Sequence, residues 1–450
     1  MVKQLKTIKE KIINHSKIFD PTVRIYNEAL SFFMEVINNE FLSLEVYTTK
    51  DMTNAVEKLT HTTKANPAPK YKLFNKYFYK FPSYFRRAAI SAAFGKVKSY
   101  RSSYKNWENE KQIALSAGKR FNKRPPALQM EHNEYPVLYK DNMFKRDNPD
   151  TAKIKLFINN DWIWVEIQIK PTKIEKRNVA EWKVCNPKLI QVGKKYFLAT
   201  PYEKNITLNN TKIEDQTIVS VDLGLTKSAV CSLMKSDGTV IDRLFINQPI
   251  EKDRLDLQLK RVKMAQREFG YVKSPNVWRR INGLQNHIKI DTARKVVGFA
   301  YENDAHLIVF EHLGNMNLGN ASGVKRLKQK LHHWCQVGIQ EKTKEMAHYR
   351  GIRMNRVNPA GTSKMAFDGS GEVKRSRKKD IACFPTGKQY HADLNASYNI
   401  GARYFIREIL KTFSEKKKSA LTAKVPQLSA RTQQSLSTLI SLHQAASLTA

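Results

Sequence analysis

The stretch QTIVSVDLGLTKSAVCSL, residues 216–233, predicts a strand, a tight turn at Gly224 and a second strand. Asp222 ends the first apolar run, so its carboxylate projects from the strand just before the chain turns. A carboxylate at the end of a buried strand is costly unless a metal ion or a cationic side chain compensates its charge. The stretch therefore predicts an α/β domain with a candidate catalytic acid at the edge of its sheet.

Two further acids occupy comparable places. Glu311 ends the apolar run LIVFE, and Asp393 precedes the predicted helix NASYNIGARYFIREILKTF, in which Asn395 is expected to orient it. A single acid after a strand is more often a turn former or a helix cap, but this order brings all three to one edge of a ribonuclease-H-like sheet. Three such carboxylates would hold two Mg²⁺ ions roughly 4 Å apart, which suits phosphodiester hydrolysis. Mn²⁺ is expected to substitute for Mg²⁺.

Composition and charge limit the partners. The chain has 450 residues, enough for two or three domains, and 78 Lys and Arg against 41 Asp and Glu give a formal net charge of +37. Such a charge favours nucleic acid first and an anionic membrane surface second. The sequence has no apolar run that predicts a spanning helix and no secretory signal. Its four cysteines form no C-x-x-C pair, which fits a reducing cytoplasm.

The segment YKLFNKYFYKFPSYFRRAAI, residues 71–90, interleaves aromatic residues with Lys and Arg. Aromatic rings can stack on unpaired bases while cations hold phosphates, and on this interpretation Tyr77, Arg86 and Arg87 are candidate nucleic-acid contacts. The alternative is a helical core rimmed by solvated lysines, which is typical of aromatic residues at helical spacing. Arg279 and Arg280 are further candidate contacts, against the alternative of a solvated basic helix.

A β-hairpin is predicted from residues 154–169. IKLFI and WIWVEIQI lie on either side of a turn at Asn159-Asn160-Asp161, and every second residue of each falls on one face: Ile154, Leu156 and Ile158 in the first strand, and Ile163, Val165, Ile167 and Ile169 in the second. With KLIQVG and KYFLAT following, a small antiparallel barrel or sheet is expected, which serves as scaffold as often as it binds nucleic acid.

Three motifs resemble those of the split RuvC nuclease domain in the TnpB (OrfB) proteins of insertion sequences. They are VDLGL at 221–225, FEHL at 310–313 and DLNASYNIGARY at 393–404. Miniature type V CRISPR effectors share these motifs. The resemblance implies an RNA-guided endonuclease that binds a guide RNA from the element's own end. It also implies that double-stranded DNA is cut next to a short transposon-adjacent motif. Asp222, Glu311 and Asp393 match the family's catalytic triad.

The resemblance implies a multidomain α+β protein, with a wedge β-barrel and an inserted helical recognition domain before a RuvC-like nuclease domain. The expected segments are the first barrel strand at 1–18, the helical domain at 19–120, the rest of the barrel at 121–213, the nuclease domain at 214–413 and a flexible tail at 414–450. Within the nuclease domain, 252–303 is a basic helical part and 362–390 an insert that resembles a zinc ribbon.

The insert departs from the family, whose members usually carry two C-x-x-C pairs there. Only Cys383 remains, and Thr386 stands where the fourth thiolate would be. One thiolate cannot make a tetrahedral zinc site. We therefore expect no zinc, with Cys383 as a remnant and the lobe held by packing of Phe384 and Tyr390.

Four functional assignments remain open. The chain is a transposon-encoded nuclease, a miniature type V effector with a repeat-derived guide, or an RNA-guided binder that represses without cutting. Strand transfer by a transposase is also compatible with an acidic triad. The expected partners are guide RNA and double-stranded DNA, with no membrane, and the chain is expected to act as a monomer or dimer on the RNA in a prokaryotic cytoplasm.

Overall fold

A computed structural model describes residues 1–13, 17–172, 179–224, 227–270, 275–312, 323–375 and 380–447. It divides the chain into two compact units, Leu5–Lys204 and a second unit made of Met1–Gln4 with Asn205–Ala450. Each unit contains helices and sheet, so the expected multidomain α+β organisation is confirmed. The finer domain boundaries within the units stay a prediction. None of the described helices has the length and apolarity that crossing a membrane requires.

The N-terminal unit combines a helical block with an antiparallel sheet. Its helices are α1 (Asp20–Asn39), α2 (Phe41–Leu44), α3 (Thr49–Thr60), α4 (Leu73–Tyr77) and α5 (Ser83–Ser116). Its strands are β1 (Val2–Ile12), β2 (Phe144–Lys145), β3 (Thr151–Ile158), β4 (Asp161–Lys170), β5 (Lys183–Val184), β6 (Lys188–Val192) and β7 (Lys195–Ile206). The strands pair in the order β2-β3-β4-β1-β7-β5, with β6 also on β7. Closure of this sheet into the expected barrel stays a prediction.

The predicted hairpin is confirmed as β3 and β4. Ile154 lies opposite Val165 and Leu156 opposite Ile163, so the apolar residues share one face. Asn159 and Asn160 both have positive φ, 50° and 62°. Such a pair is what a two-residue turn needs to match the twist of the strands.

The aromatic segment belongs mainly to the core. Phe74, Phe78, Phe81 and Phe85 are buried in one apolar cluster, so the core interpretation is right for the phenylalanines. Tyr77, in contrast, is 63% exposed. Periodicity alone could not make this distinction, because one turn of helix carries residues that point to the interior and residues that point to solvent.

The C-terminal unit is built on a five-stranded sheet. Its strands are β8 (Thr217–Asp222), β9 (Ala229–Lys235), β10 (Val240–Ile246), β11 (Leu307–Glu311) and β12 (Arg353–Val357). The order is β10-β9-β8-β11-β12, in which β8, β11 and β12 are parallel and β9 and β10 antiparallel. The helices around it are α6 (Pro249–Phe269), α7 (Pro275–Glu302), α8 (Gly323–Tyr349), α9 (Ala392–Thr412), α10 (Glu415–Lys424) and α11 (Leu436–Ser447).

Alternate residues of this sheet face two different helical layers. Ile218 and Val309 pack toward α9, whereas Val219 and Ile308 pack toward α7 and α8. Because both faces are covered, the strands are nearly continuous apolar runs, as the sequence indicated. At Gly401 of α9 a Cβ would meet a Met234 sulfur and a Ser220 hydroxyl at 3.1 Å. The helix therefore lies close against the sheet.

The expected flexible tail at 414–450 is wrong for the residues that the structure describes. The chain forms α10 and α11 there, and Leu439 and Leu442 are fully buried against α9. The many Ser, Lys and Gln residues predicted disorder, but the leucines of the segment bury enough apolar surface to order it.

The insert at 362–390 contains a small three-stranded sheet. Its strands are β13 (Lys374–Arg375), β14 (Ile381–Cys383) and β15 (Gln389–His391). Phe384 and Tyr390 pack with Phe367, at ring-centroid distances of 5.4 and 5.0 Å from it. The expected packing of this lobe by Phe384 and Tyr390 is thus confirmed.

Candidate active site

Two of the predicted acids end neighbouring parallel strands. Val221 of β8 lies in register with Phe310 of β11, so Asp222 and Glu311 are the next residues at the carboxyl ends of paired strands. The carboxyl ends of adjacent parallel strands form one edge, where α/β proteins commonly bind ligands. The structure therefore places these two carboxylates side by side at one end of the sheet.

Asp393 approaches the same edge from the first turn of α9. One of its carboxylate oxygens, Oδ2, would lie 3.6 Å from a Cβ added to Gly224, two residues after Asp222. The same added carbon would lie 2.9 Å from the carbonyl oxygen of Lys227. Glycine is favoured at 224 because an added Cβ would crowd the Lys227 carbonyl. All three predicted acids thus come together.

The charges of these acids oppose one another. Burial raises the pKa of Asp222 well above its usual range, and the negative charges of Glu311 and Asp393 raise it further. The guanidinium of Arg375 and the backbone N–H of Leu223 act in the opposite direction but do not offset this rise. A carboxyl group perturbed by burial and by two like charges is a typical candidate for a functional site.

Glu311 is held by contacts to one helix and to a loop. Burial raises its pKa, whereas the Thr362 hydroxyl, which donates to its Oε1, and the charge of Arg403 act in the lowering direction. Its backbone oxygen accepts a hydrogen bond of 2.9 Å from Gln340 Nε2 on α8. Both the carboxylate and the strand end of Glu311 are therefore fixed.

Sequence reasoning missed two glutamines that hold the strand ends. Gln336 Nε2 donates to the Leu223 carbonyl at 3.0 Å, as Gln340 does to that of Glu311. Both glutamines are buried and lie one helical turn apart on α8. Their spacing of four within an amphipathic helix was the available signal, because buried polar side chains need partners.

A second group of side chains lies next to Asp393. His391, which precedes α9, has its Nε2 2.7 Å from Lys227 Nζ, and its ring meets that of Phe245 at 5.1 Å. Lys227 Nζ also lies 4.3 Å from the centroid of Phe245. Burial lowers the pKa of His391, and the Lys227 charge lowers it further. This cluster fixes the entry of the chain into α9.

The oxygen donors of the three acids fit Mg²⁺, which prefers hard oxygen ligands. Among the described residues, however, no three His, Cys, Asp or Glu side chains are grouped tightly enough to ligate an ion as they stand. Besides burial, the charges of Glu311 and Asp393 nevertheless raise the pKa of Asp222. The oxygen donors of the three acids thus fit Mg²⁺ in their chemistry, and they lie near one another without being grouped at ligating distance.

The predicted nucleic-acid contacts have different environments. Arg86 is only 7% exposed and bonds to Glu57 and His61, so its assignment as a surface contact is corrected. Arg87 also pairs with Glu57 but is exposed. Arg279 and Arg280 are exposed on α7, and Tyr77 is exposed on α4. A role in binding nucleic acid stays a prediction for these four residues.

Cys383 is half-buried in β14, opposite Lys374 and Gln389. Asn395 does not have the partner that we expected. It accepts from Phe367 N at 2.8 Å and donates to the Met365 carbonyl at 2.9 Å, so it orients a loop instead.

Two family models match the chain, one in each unit. The Aq_aa04 family matches residues 6–158, and the Cas12f1-like TNB domain matches residues 338–400. A TnpB-like protein of Aquifex aeolicus (strain VF5), aq_aa05, is 24% identical over 233 residues, which cover 47% of this chain and 75% of the relative. The resemblance to TnpB is confirmed.

The chain is also similar to a second protein of the same organism and to a solved structure. The uncharacterized protein aq_aa04 of the same organism is 25% identical over 177 residues, which cover 35% of this chain and 95% of that protein. A solved structure of the mini-RNA-guided endonuclease CRISPR-Cas_phi3 has a TM-score of 0.43 and 11% identity, covering 88% of this chain and 92% of that one.

Proposed function

We propose that this TnpB-like chain is an RNA-guided, Mg²⁺-dependent DNA endonuclease with a single RuvC-like site formed by Asp222, Glu311 and Asp393. The observation that carries the proposal is the convergence of three carboxylates at one edge of the sheet, where burial and then the charges of Glu311 and Asp393 raise the pKa of Asp222. A protein that only needed to fold would gain nothing from gathering like charges in a half-buried place.

When bound, two Mg²⁺ ions would activate water and stabilise the leaving oxygen of a phosphodiester. The chain's own contribution is to keep the three carboxylates in place. Gln336 and Gln340 hold the strand ends, and Thr362 donates to Glu311. A cation in the site favours the ionised forms, because the raised pKa of Asp222 arises from burial and from its negative neighbours.

Recognition of sequence is assigned to a guide RNA that pairs with the target strand, so the protein needs mainly positive charge to hold the two nucleic acids. The formal net charge of +37 supports this part of the proposal. The N-terminal unit, with helices inserted after the first strand of its sheet, is proposed to act as the wedge and recognition part. The insert at 362–390 is proposed to work without zinc, and the protein to act in the prokaryotic cytoplasm.

The test is to purify the chain with RNA transcribed from its own locus and to sequence the RNA that copurifies. The complex is then given plasmids that carry a matching target with randomised flanks, in Mg²⁺. Cleavage next to one short motif, absent in Asp222→Ala, is the expected result. Specific binding without cleavage would favour a repressor, and joined rather than broken DNA ends would favour a transposase.

A miniature type V effector is the second candidate, favoured by the match of residues 338–400 to the Cas12f1-like TNB domain. The two candidates share the cleavage chemistry and differ in the origin of the guide. RNA from a repeat array would favour the effector, whereas RNA from a transposon end would favour the TnpB-like nuclease. Mass photometry of the complex would show whether one or two chains bind each RNA.

A further inference from the structure

One face of α9 carries three polar residues at successive turns, Asn395, Asn399 and Arg403. All three are buried, and all three bond to backbone groups outside the helix. Asn399 Nδ2 donates to the carbonyls of Thr362 and Met365 at 3.0 and 2.8 Å. This face therefore binds the loop that follows β12 and carries Thr362.

Arg403 joins this loop to the C-terminal segment. Its Nη1 donates to the carbonyls of Asn358 and Ala360 at 3.1 and 2.7 Å. Its Nε and Nη2 donate to the carbonyls of Gln434 and Thr432, both at 3.1 Å. An arginine that is 4% exposed and satisfies four carbonyls on two segments fixes one against the other.

Two further contacts show that the loop and the C-terminal segment are closely fitted. Asn399 Oδ1 accepts from Leu436 N at 3.2 Å, so this side chain also bonds to both segments. A Cβ added at Gly361 would lie 2.6 Å from the carbonyl oxygen of Thr432. A methyl group at this position would therefore push the two segments apart.

The loop ends at the active site. Thr362 is almost fully buried, and its hydroxyl donates to Glu311 Oε1, with the Pro359 carbonyl as a second acceptor at 2.9 Å. The hydroxyl has only one proton, so its position between these acceptors depends on the path of the loop. Contacts thus run without a gap from residues 432–436 through Arg403 and Asn399 to Thr362 and Glu311.

We propose that Thr362 is a positioning residue for Glu311 and that the C-terminal segment 430–447 holds Thr362 in place through Arg403 and Asn399. The segment is then part of the catalytic apparatus, although it supplies no group that touches the substrate. This inference rests on the proposed metal-dependent nuclease. Partners that orient a metal ligand typically change metal affinity by about 10- to 100-fold when they are removed.

The experiment measures Mn²⁺ binding to the RNA-free full chain by electron paramagnetic resonance, beside thermal unfolding. Thr362→Val removes the hydroxyl at constant shape, and Thr362→Ser restores it. Gly361→Ala pushes the loop from the C-terminal segment. Gly387→Ala is its matched control, because Gly387 has nearly the same φ, 82° against 83°, and no atom within 4 Å of its added Cβ.

We expect Thr362→Val and Gly361→Ala to weaken Mn²⁺ binding about tenfold or more, with Thr362→Ser and Gly387→Ala within about threefold of wild type. In the RNA complex, the Mg²⁺ concentration for half-maximal cleavage should rise in the first two variants while the rate at saturating Mg²⁺ largely recovers. A role in folding alone would lower the amount of active protein without moving that concentration.

Different results overturn different parts. If Thr362→Val binds Mn²⁺ like wild type while Asp222→Ala has lost binding, the positioning role is wrong and the proposed function stands. If Gly361→Ala binds Mn²⁺ as tightly as Gly387→Ala does, the C-terminal segment has no part in holding Thr362. If Gly361→Ala does not fold, Thr362→Val still decides the role of the hydroxyl. Equal Mn²⁺ binding by wild type and Asp222→Ala would remove the metal site itself and, with it, the inference.

Discussion

Glu10 in the N-terminal unit and Asp222 in the C-terminal unit are both acids on strands, but their surroundings differ. Glu10 is 1% exposed and receives two hydrogen bonds from Arg146, at 2.6 and 3.2 Å. Asp222 has two further carboxylates as neighbours, and burial together with their charges raises its pKa. A buried acid that is paired with a cation serves the fold, whereas half-buried acids gathered together need a ligand to compensate their charge.

The comparison predicts opposite effects on stability and activity for Asp222. Asp222→Asn should lower the cleavage rate of the RNA complex about ten-thousandfold, since it removes a charged metal ligand. In a chelator the same variant should unfold at an equal or higher temperature than wild type, because repulsion with Glu311 and Asp393 is relieved. Plasmid cleavage and calorimetry check the two parts, with exposed Asp253→Asn as control. A lower unfolding temperature would mean that Asp222 mainly serves the fold.

The aromatic segment offers the next largest effect. Phe74→Ala should lower the free energy of unfolding by about 4 kcal/mol, because the ring is fully buried between other aromatic rings. Tyr77→Ala, three residues on, should change it by less than about 0.5 kcal/mol. Urea unfolding measures both, and RNA affinity of Tyr77→Ala tests whether this exposed ring binds nucleic acid. Equal losses in the free energy of unfolding for the two variants would contradict the assignment of Phe74 to the core and of Tyr77 to the surface.

Glu10→Gln should destabilise the N-terminal unit by about 3 kcal/mol, because Arg146 then loses its buried charged partner. Cleavage per folded molecule should stay unchanged. The matched control is Glu166→Gln, an exposed acid on β4, which should cost less than about 0.5 kcal/mol. Urea unfolding followed by fluorescence provides the measurement. No loss of stability in Glu10→Gln would show that this acid does not serve the fold as argued.

The smallest effect concerns Glu134, which bonds to Lys96 and Lys188 at 3.1 Å each. Burial raises its pKa, but the two lysines lower it more, so its net pKa lies below the ordinary 4.5. Its ionised form therefore adds stability above pH 4.5, and this contribution is lost as the pH falls through the lowered pKa. Because solvent screens these half-exposed pairs, Glu134→Gln should cost only about 1 kcal/mol at pH 7 and less than that at pH 3. Unfolding at both pH values tests this, and an equal loss at both would contradict it.

The sequence by itself determined the parts of this protein that depend on local pattern. The apolar runs that end in Asp222 and Glu311 predicted the strands and the edge to which their acids belong, because parallel strands end at a common edge. Alternation predicted the hairpin of β3 and β4. The three motifs predicted the similarity to TnpB, and the similar TnpB-like protein confirmed it.

Only the tertiary structure decided which side chains are covered and what holds the site. Arg86 and Arg87 are adjacent in sequence, yet one is buried and the other exposed, since burial depends on the helix that packs against them. The leucines of α11 order the C-terminal segment only because α9 offers an apolar face to receive them. Arg403, Asn399 and Thr362 are brought together by contacts between segments that are distant in sequence. Such contacts produce no periodic pattern in the sequence from which they could be predicted.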